Sequence, residues 1–164
     1  MLKLTKRADY GLIALKHMAT RSRNSSASAK EIAASYRIPL PLLSKVLQVL
    51  ARSGFVSAEQ GTRGGYKLAR DPGAISALEV VRAIDGPIIL TSCFTEHGEC
   101  DLTEHCTVRE PLRKIHEGIL HLLAGITIQD MSEDGHPQRG RAGSYPATHR
   151  SPAGSLGERL PVLS

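Results

Sequence analysis

The apolar positions of this chain change period several times along its length, and each change marks an element. Leu4, Ala8, Leu12, Leu15 and Ala19 recur at helical spacing, with Thr5 placed to cap a first helix that runs to about Thr20. Arg21 to Ser28 is rich in serine and reads as a loop. A second, short helix begins near Ser28 or Ala29 and carries Ile32, Ala33 and Tyr36, and Arg37 to Pro39 forms a turn. The third helix starts at about Pro41, because proline suits a first helical turn. In it Leu43, Val46, Leu47 and Leu50 fall at i, i+3, i+4 and i+7, which predicts a face packed on the first two helices. Pro41, Ser44, Lys45, Gln48 and Arg52 share the opposite face, which is polar and contains no acid.

The period then shortens. Ser53-Gly54 stops the third helix, Phe55-Val56-Ser57 and Tyr66-Lys67-Leu68 read as short strands, and the glycine-rich Gln60 to Gly65 between them predicts a hairpin. A helix from about Ser76 to Ile84 ends at Asp85-Gly86-Pro87. Thr107-x-x-Glu110 has the pattern of a capping box, and Leu112, Ile115, Ile119, Leu122 and Ile126 follow at alternating spacings of three and four. Such a seam fits another helix; the expected partner is the same helix of a second subunit, with packing on its own domain as the alternative. From Glu133 the chain has five Gly, four Pro and four Ser in 32 residues, too little apolar matter for a core, and reads as a flexible tail.

Helix, tight turn, helix and basic hairpin are the outline of a winged helix-turn-helix, so the fold class expected is mainly α with a small β-hairpin wing and a long dimerisation helix. The expected division is 1–72 for the DNA-binding unit, 73–132 for a helix, a cysteine loop and the dimer helix, and 133–164 for the tail. A chain of 164 residues, 41% hydrophobic and 23% charged, can hold one ordinary core with an extension. Its formal charge of +5 hides an asymmetry: residues 1–70 hold thirteen Lys/Arg against three Asp/Glu, whereas residues 71–132 hold four against ten. A basic first half facing a polyanion such as double-stranded DNA accounts for this better than a uniformly solvated surface does. The hairpin glycines do not form a nucleotide-phosphate loop, since no Gly-Lys-Ser/Thr follows them.

The three cysteines, Cys93, Cys100 and Cys106, lie within fourteen residues. Thiolates ligate soft metals and iron-sulfur clusters. Six and five residues separate successive cysteines, against the two to four usual between paired ligands of structural zinc sites. An iron-sulfur cluster is the leading expectation, with zinc or unligated redox thiols as alternatives. No Cys-x-x-Cys and no Ser/His/Asp arrangement points to an enzyme, and no small-molecule substrate is expected. No apolar run reaches the length of a membrane span, and the first nine residues lack the apolar core of a secretory signal, so no membrane partner and a cytoplasmic location are expected.

Leu4-Thr5-Lys6-x-x-Asp9-Tyr10, Ala29-Lys30-Glu31-Ile32-Ala33, Leu43-x-x-Val46-Leu47-x-x-Leu50, Gly61-x-x-Gly64-Gly65-Tyr66-x-Leu68 and the cysteine loop together resemble the Rrf2 family of bacterial regulators, over residues 1 to 131. Within it, Cys93 to Leu102 and Gly125 to Met131 look most like regulators of the SUF iron-sulfur assembly genes, relatives of IscR and NsrR. The resemblance implies a homodimeric winged-helix repressor or activator whose cluster, 4Fe-4S or 2Fe-2S, alters its affinity for DNA. A nitric-oxide or redox-responsive regulator of the same fold, and a zinc-bound structural adaptor, are the alternatives. Three cysteines leave one ligand position open. Some relatives fill it with a histidine three residues after the third cysteine, where this chain has Arg109. Others use an acid near the N-terminus, supplied by the opposite subunit, and Asp9 stands there. Asp9 is the candidate fourth ligand, His97 and His105 are reserves, and the competing role for Asp9 is to favour the positive end of its helix. On DNA, Thr5, Lys6, Arg7 and the wing with Gln60 are expected at phosphates. Pro41, Ser44, Lys45 and Gln48 are expected at base edges, and Arg63 in the minor groove.

Overall fold

A computed structural model of the chain describes residues 4–21, 25–61, 64–91, 94 and 105–133. Cys93, Cys100, His97, Arg63 and the tail after Glu133 lie outside the described residues.

Helix α1 (Lys6–Ala19) begins where Thr5, in extended backbone, accepts the Ala8 N–H at 3.2 Å. Ser28 caps α2 (Ala29–Tyr36) in the same way through the Glu31 N–H at 3.1 Å. Helix α2 stops at Arg37, which takes a left-handed conformation (φ 53°, ψ 40°), a turn that costs a non-glycine residue about 1–2 kcal/mol. Helix α3 (Leu40–Arg52) starts one residue earlier than the proline suggested, with Pro39 as its cap residue. Strands β1 (Val56–Glu59) and β2 (Gly65–Leu68) form the antiparallel hairpin, in a register that sets Val56 opposite Leu68 and Glu59 opposite Gly65. A bridge between Ala27 and Tyr66 ties it to the segment before α2.

Helix α4 (Ala77–Asp85) opens on a capping box: the Glu79 N–H donates to Ser76 Oγ at 3.2 Å, and the Ser76 N–H to the Glu79 carboxylate at 2.9 Å. It lies close to α1, because a Cβ on the buried Gly11 would stand 2.3 Å from Ile84 Cδ1. Helix α5 (Arg109–Gly125) is followed by α6 (Ile128–Glu133), which the sequence pattern did not announce. Ile128, fully buried, anchors α6 in the core.

One apolar cluster joins α1, α2, α3, α4 and α6, running from Leu15 and Ile32 through Leu43, Val46, Leu47 and Leu50 to Ile75, Val80 and Ile128. It continues without a break across the change of charge near residue 70. No described residue with a polar side chain is buried.

Two expectations for α5 need correction. Thr107 does not cap it: Val108 occupies the cap position without a side-chain bond, and Glu110 pairs with Arg113 instead. Ile126 does not continue the apolar seam on the helix, because it is extended (φ −97°, ψ 120°) and its carbonyl accepts the Ala77 N–H at 2.8 Å. Together with the Ile128 N–H, which donates to the Ile75 carbonyl at 2.9 Å, this pins the segment after α5 to the start of α4.

Candidate nucleic-acid interface and cysteine segment

Helix α3 divides into two faces as its spacing requires. Leu43, Val46, Leu47 and Leu50 are fully buried, while Pro41, Lys45 and Gln48 are exposed and Ser44 is half-buried. The first turn carries no acid and no side-chain cap, and Pro41 has no N–H to satisfy, so the positive end of the helix faces outward uncompensated. A rigid rod with an apolar back, a polar front and a positive tip is suited to a negatively charged groove.

Charge pairing sharpens this. The two glutamates of residues 1–70 are already engaged: Glu31 takes Arg21, and Glu59 takes Lys67 across the hairpin. Their carboxyls are held below the ordinary carboxylate range, Glu31 by its hydrogen bond from Arg21 and Glu59 by that from Lys67. Lys6, Arg7, Arg37 and Lys45 form no ion pair among the described residues, so the basic excess is available to an outside polyanion.

Thr5 is more constrained than its sequence context indicates. Its hydroxyl donates to the Asp85 carboxylate, at 2.7 and 2.9 Å to the two oxygens, while accepting the Ala8 N–H. Its one proton is therefore committed, and a phosphate reaching Thr5 must displace Asp85. Asp85 is a neighbour of Thr5 that local pattern could not disclose, since 80 residues separate the pair.

The half-buried His17 sits between α1 and α2, near Tyr36 Oη (3.3 Å) and Glu31 (3.8 Å). Burial, then the charge of Arg21, lowers its pKa from the ordinary 6.5, and Glu31 offsets this only in part.

Of the metal-ligand candidates, Asp9 lies half-buried in the first turn of α1 and Cys106 lies half-buried three residues before α5. His105 is exposed beside it. The Asp9 and Cys106 side chains make no hydrogen bond or ion pair with each other, and the described residues contain no group of three potential metal ligands. Gln60 is exposed at the end of β1. On α5, Leu112 and Ile119 are half-buried, whereas Ile115 and Leu122 are 52% and 49% exposed. No residue of this 17-residue helix is buried.

Residues 4–134 match the model of the Rrf2 family, described as iron-dependent transcriptional regulators. The chain belongs to the Rrf2 family. An HTH-type transcriptional regulator NsrR from Geobacillus kaustophilus (strain HTA426) is 33% identical over 134 residues, which are 81% of this chain and 91% of that one. The structure of CymR, the global cysteine regulator of B. subtilis, superposes with a TM-score of 0.72 at 27% identity, covering 82% of this chain and 98% of that one. T. potens IscR gives 0.65 at 26% identity, covering 87% and 94%. This Rrf2 protein is thus a DNA-binding transcriptional regulator with a winged-helix fold, and not an enzyme. Among the described residues no helix is long and apolar enough to cross a membrane.

Proposed function

We propose that this Rrf2 regulator binds double-stranded DNA as a homodimer and adjusts its affinity through an iron-sulfur cluster held by Cys93, Cys100 and Cys106, with Asp9 as the fourth ligand. The observation that carries the DNA part is the exposed, acid-free face of α3 above a fully buried apolar face. Pro41, Ser44, Lys45 and Gln48 read base edges, Thr5, Lys6, Arg7 and Gln60 hold the backbone, and Arg63 enters the minor groove. The apolar residues left open on α5, Ile115 and Leu122, support a second copy of α5 as its partner. Two recognition helices so joined must stand roughly 34 Å apart to enter successive major grooves.

The donor chemistry fits the cluster: three thiolates and one carboxylate suit iron in a soft site, and the lone oxygen ligand is the exchangeable one. When bound, the cluster supplies an iron centre sensitive to oxidants and to iron supply. Cys106 stands three residues before α5, so a ligated Cys106 orders the entry to that helix. Asp9 stands in α1, one turn beyond Thr5, so its engagement bears on the end of α1 that faces DNA. Control of SUF-type assembly genes follows from this reading, because a cluster sensor reports the product of that machinery.

Anaerobic purification with iron, sulfide and visible-absorption analysis tests the proposal. A coloured protein that changes its DNA affinity when the cluster is lost supports it. Colourless protein with stoichiometric zinc after reconstitution overturns the cluster part. Cys100→Ala should retain basal DNA binding and lose the response to cluster loss. Comparing iron depletion with nitric oxide as the agent that changes DNA binding separates supply sensing from nitric-oxide sensing.

A further inference from the structure

We infer that Arg37, in the turn between α2 and α3, is a DNA-phosphate contact that the turn holds ready at the expense of local strain. Arg37 is the one non-glycine residue with positive φ among the described residues. Glycine fills such a position without this strain because it has no Cβ, and asparagine with less because its short polar side chain bonds locally. Strain at an exposed turn that a smaller side chain would relieve points to a use for the side chain itself.

Three further observations direct that use. Arg37 is exposed, and although its backbone N–H donates to the Ala33 carbonyl, its side chain makes no hydrogen bond, ion pair or ring contact among the described residues, unlike Arg21, Arg70 and Arg113, each of which takes a glutamate. The acid on the same short helix, Glu31, is already held by Arg21, so it does not compete for the Arg37 guanidinium. Arg37 also lies two residues before the cap of α3, so its Cα is within about 8 Å of the cap residue, and the long side chain adds to that reach. A guanidinium beside the open positive end of a recognition helix is matched to a backbone phosphate, which it can grip with two parallel N–H bonds.

This inference rests on the reading of α3 as the DNA-recognition helix. It is tested with the full-length protein and a 30-base-pair duplex of random sequence, because a phosphate contact does not depend on sequence. Affinity is measured over a range of salt concentrations for the wild type and for Arg37→Gly, Arg37→Asn, Arg37→Lys and Lys6→Ala, with thermal melting of each. Arg37→Gly and Arg37→Asn should melt higher than wild type and bind several-fold more weakly, with the slope of log affinity against log salt shallower by about one. Arg37→Lys should keep the wild-type slope. If Arg37→Gly gains stability with wild-type affinity and slope, Arg37 is not a DNA contact and the proposal falls alone. If the wild type and Lys6→Ala both show no salt-dependent binding, the DNA reading falls and this inference with it.

Discussion

Helices α3 and α5 carry similar apolar stripes, spaced by threes and fours, but the chain treats them differently. In α3, Leu43, Val46, Leu47 and Leu50 reach full burial within one subunit. In α5, the stripe of Leu112, Ile115, Ile119 and Leu122 has no fully buried member, although the helix touches α4 and its far end is pinned beside Ser76. An apolar stripe predicts that something will cover it, while the rest of the fold decides what. For α3 the cover is α1, α2 and α4. For α5 the described residues leave Ile115 and Leu122 about half exposed, and the proposed dimer supplies the rest of the cover.

The largest effect that would sharpen this contrast is Leu47→Ala. Removing a fully buried leucine should cost about 2–5 kcal/mol in denaturant unfolding. A loss below 1 kcal/mol would mean that the α3 interface is looser than its burial implies. The double change Ile115→Glu with Leu122→Glu should act in the opposite manner. It should alter the unfolding midpoint of the isolated subunit little, yet shift sedimentation from dimer to monomer, because both side chains are about half exposed in one chain. Wild-type protein that sediments as a monomer at micromolar concentration would break the proposed dimer at once.

A smaller effect concerns how α5 is tethered. Thr127 caps α6: the Asp130 N–H donates to Thr127 Oγ1 at 3.1 Å, and the Thr127 N–H to the Asp130 carboxylate at 2.8 Å. Thr127→Ala should cost about 1 kcal/mol and raise amide exchange around Ile128 before it affects α3. Uniform loss of protection across both helices would show that α6 and α3 unfold as one unit.

The smallest effect is a pH dependence that arises where α1 meets α2. The pKa of His17 is lower in the folded state than its ordinary 6.5, so the unfolded chain binds the proton more readily. The contribution is complete above about pH 6.5 and is lost as pH falls through the depressed value. Thermal melting should therefore decline between about pH 7.5 and pH 5.5, and His17→Gln should flatten that slope. An unchanged slope in the variant would show that His17 does not carry the pH response. Arg21, Glu31 and Tyr36 face His17, and the Glu31 carboxyl, also lowered, should respond only under more acidic conditions.

Particular residues show where sequence patterns were legible. Thr5, Ser28 and Ser76 lie at helix starts because a short side-chain oxygen satisfies amide groups in its own first turn, a local interaction. The same logic misplaced Thr107. Its box pattern is intact, but Glu110 is drawn to Arg113, and Arg113 to Glu117 as well. Helix α6 escaped notice because six residues are too few to display a period, although Thr127-x-x-Asp130 carried a capping signal that could have revealed it. Ile126 kept the numerical rhythm of α5 but left the helix, because its backbone completes a bridge beside Ser76.

The sequence alone determined the order of elements as far as α5, the two faces of α3, the basic first half and the concentration of thiols in one segment, since these are read along the chain without knowledge of distant contacts. Only the tertiary structure decided that one core runs through both charge regions, that Ile128 belongs to it, that Asp85 holds the Thr5 proton, and that Ile115 and Leu122 stay about half exposed among the described residues. Those outcomes depend on segments as much as 80 residues apart, whose pairing is set by which surfaces exclude water together and is not encoded in any local period.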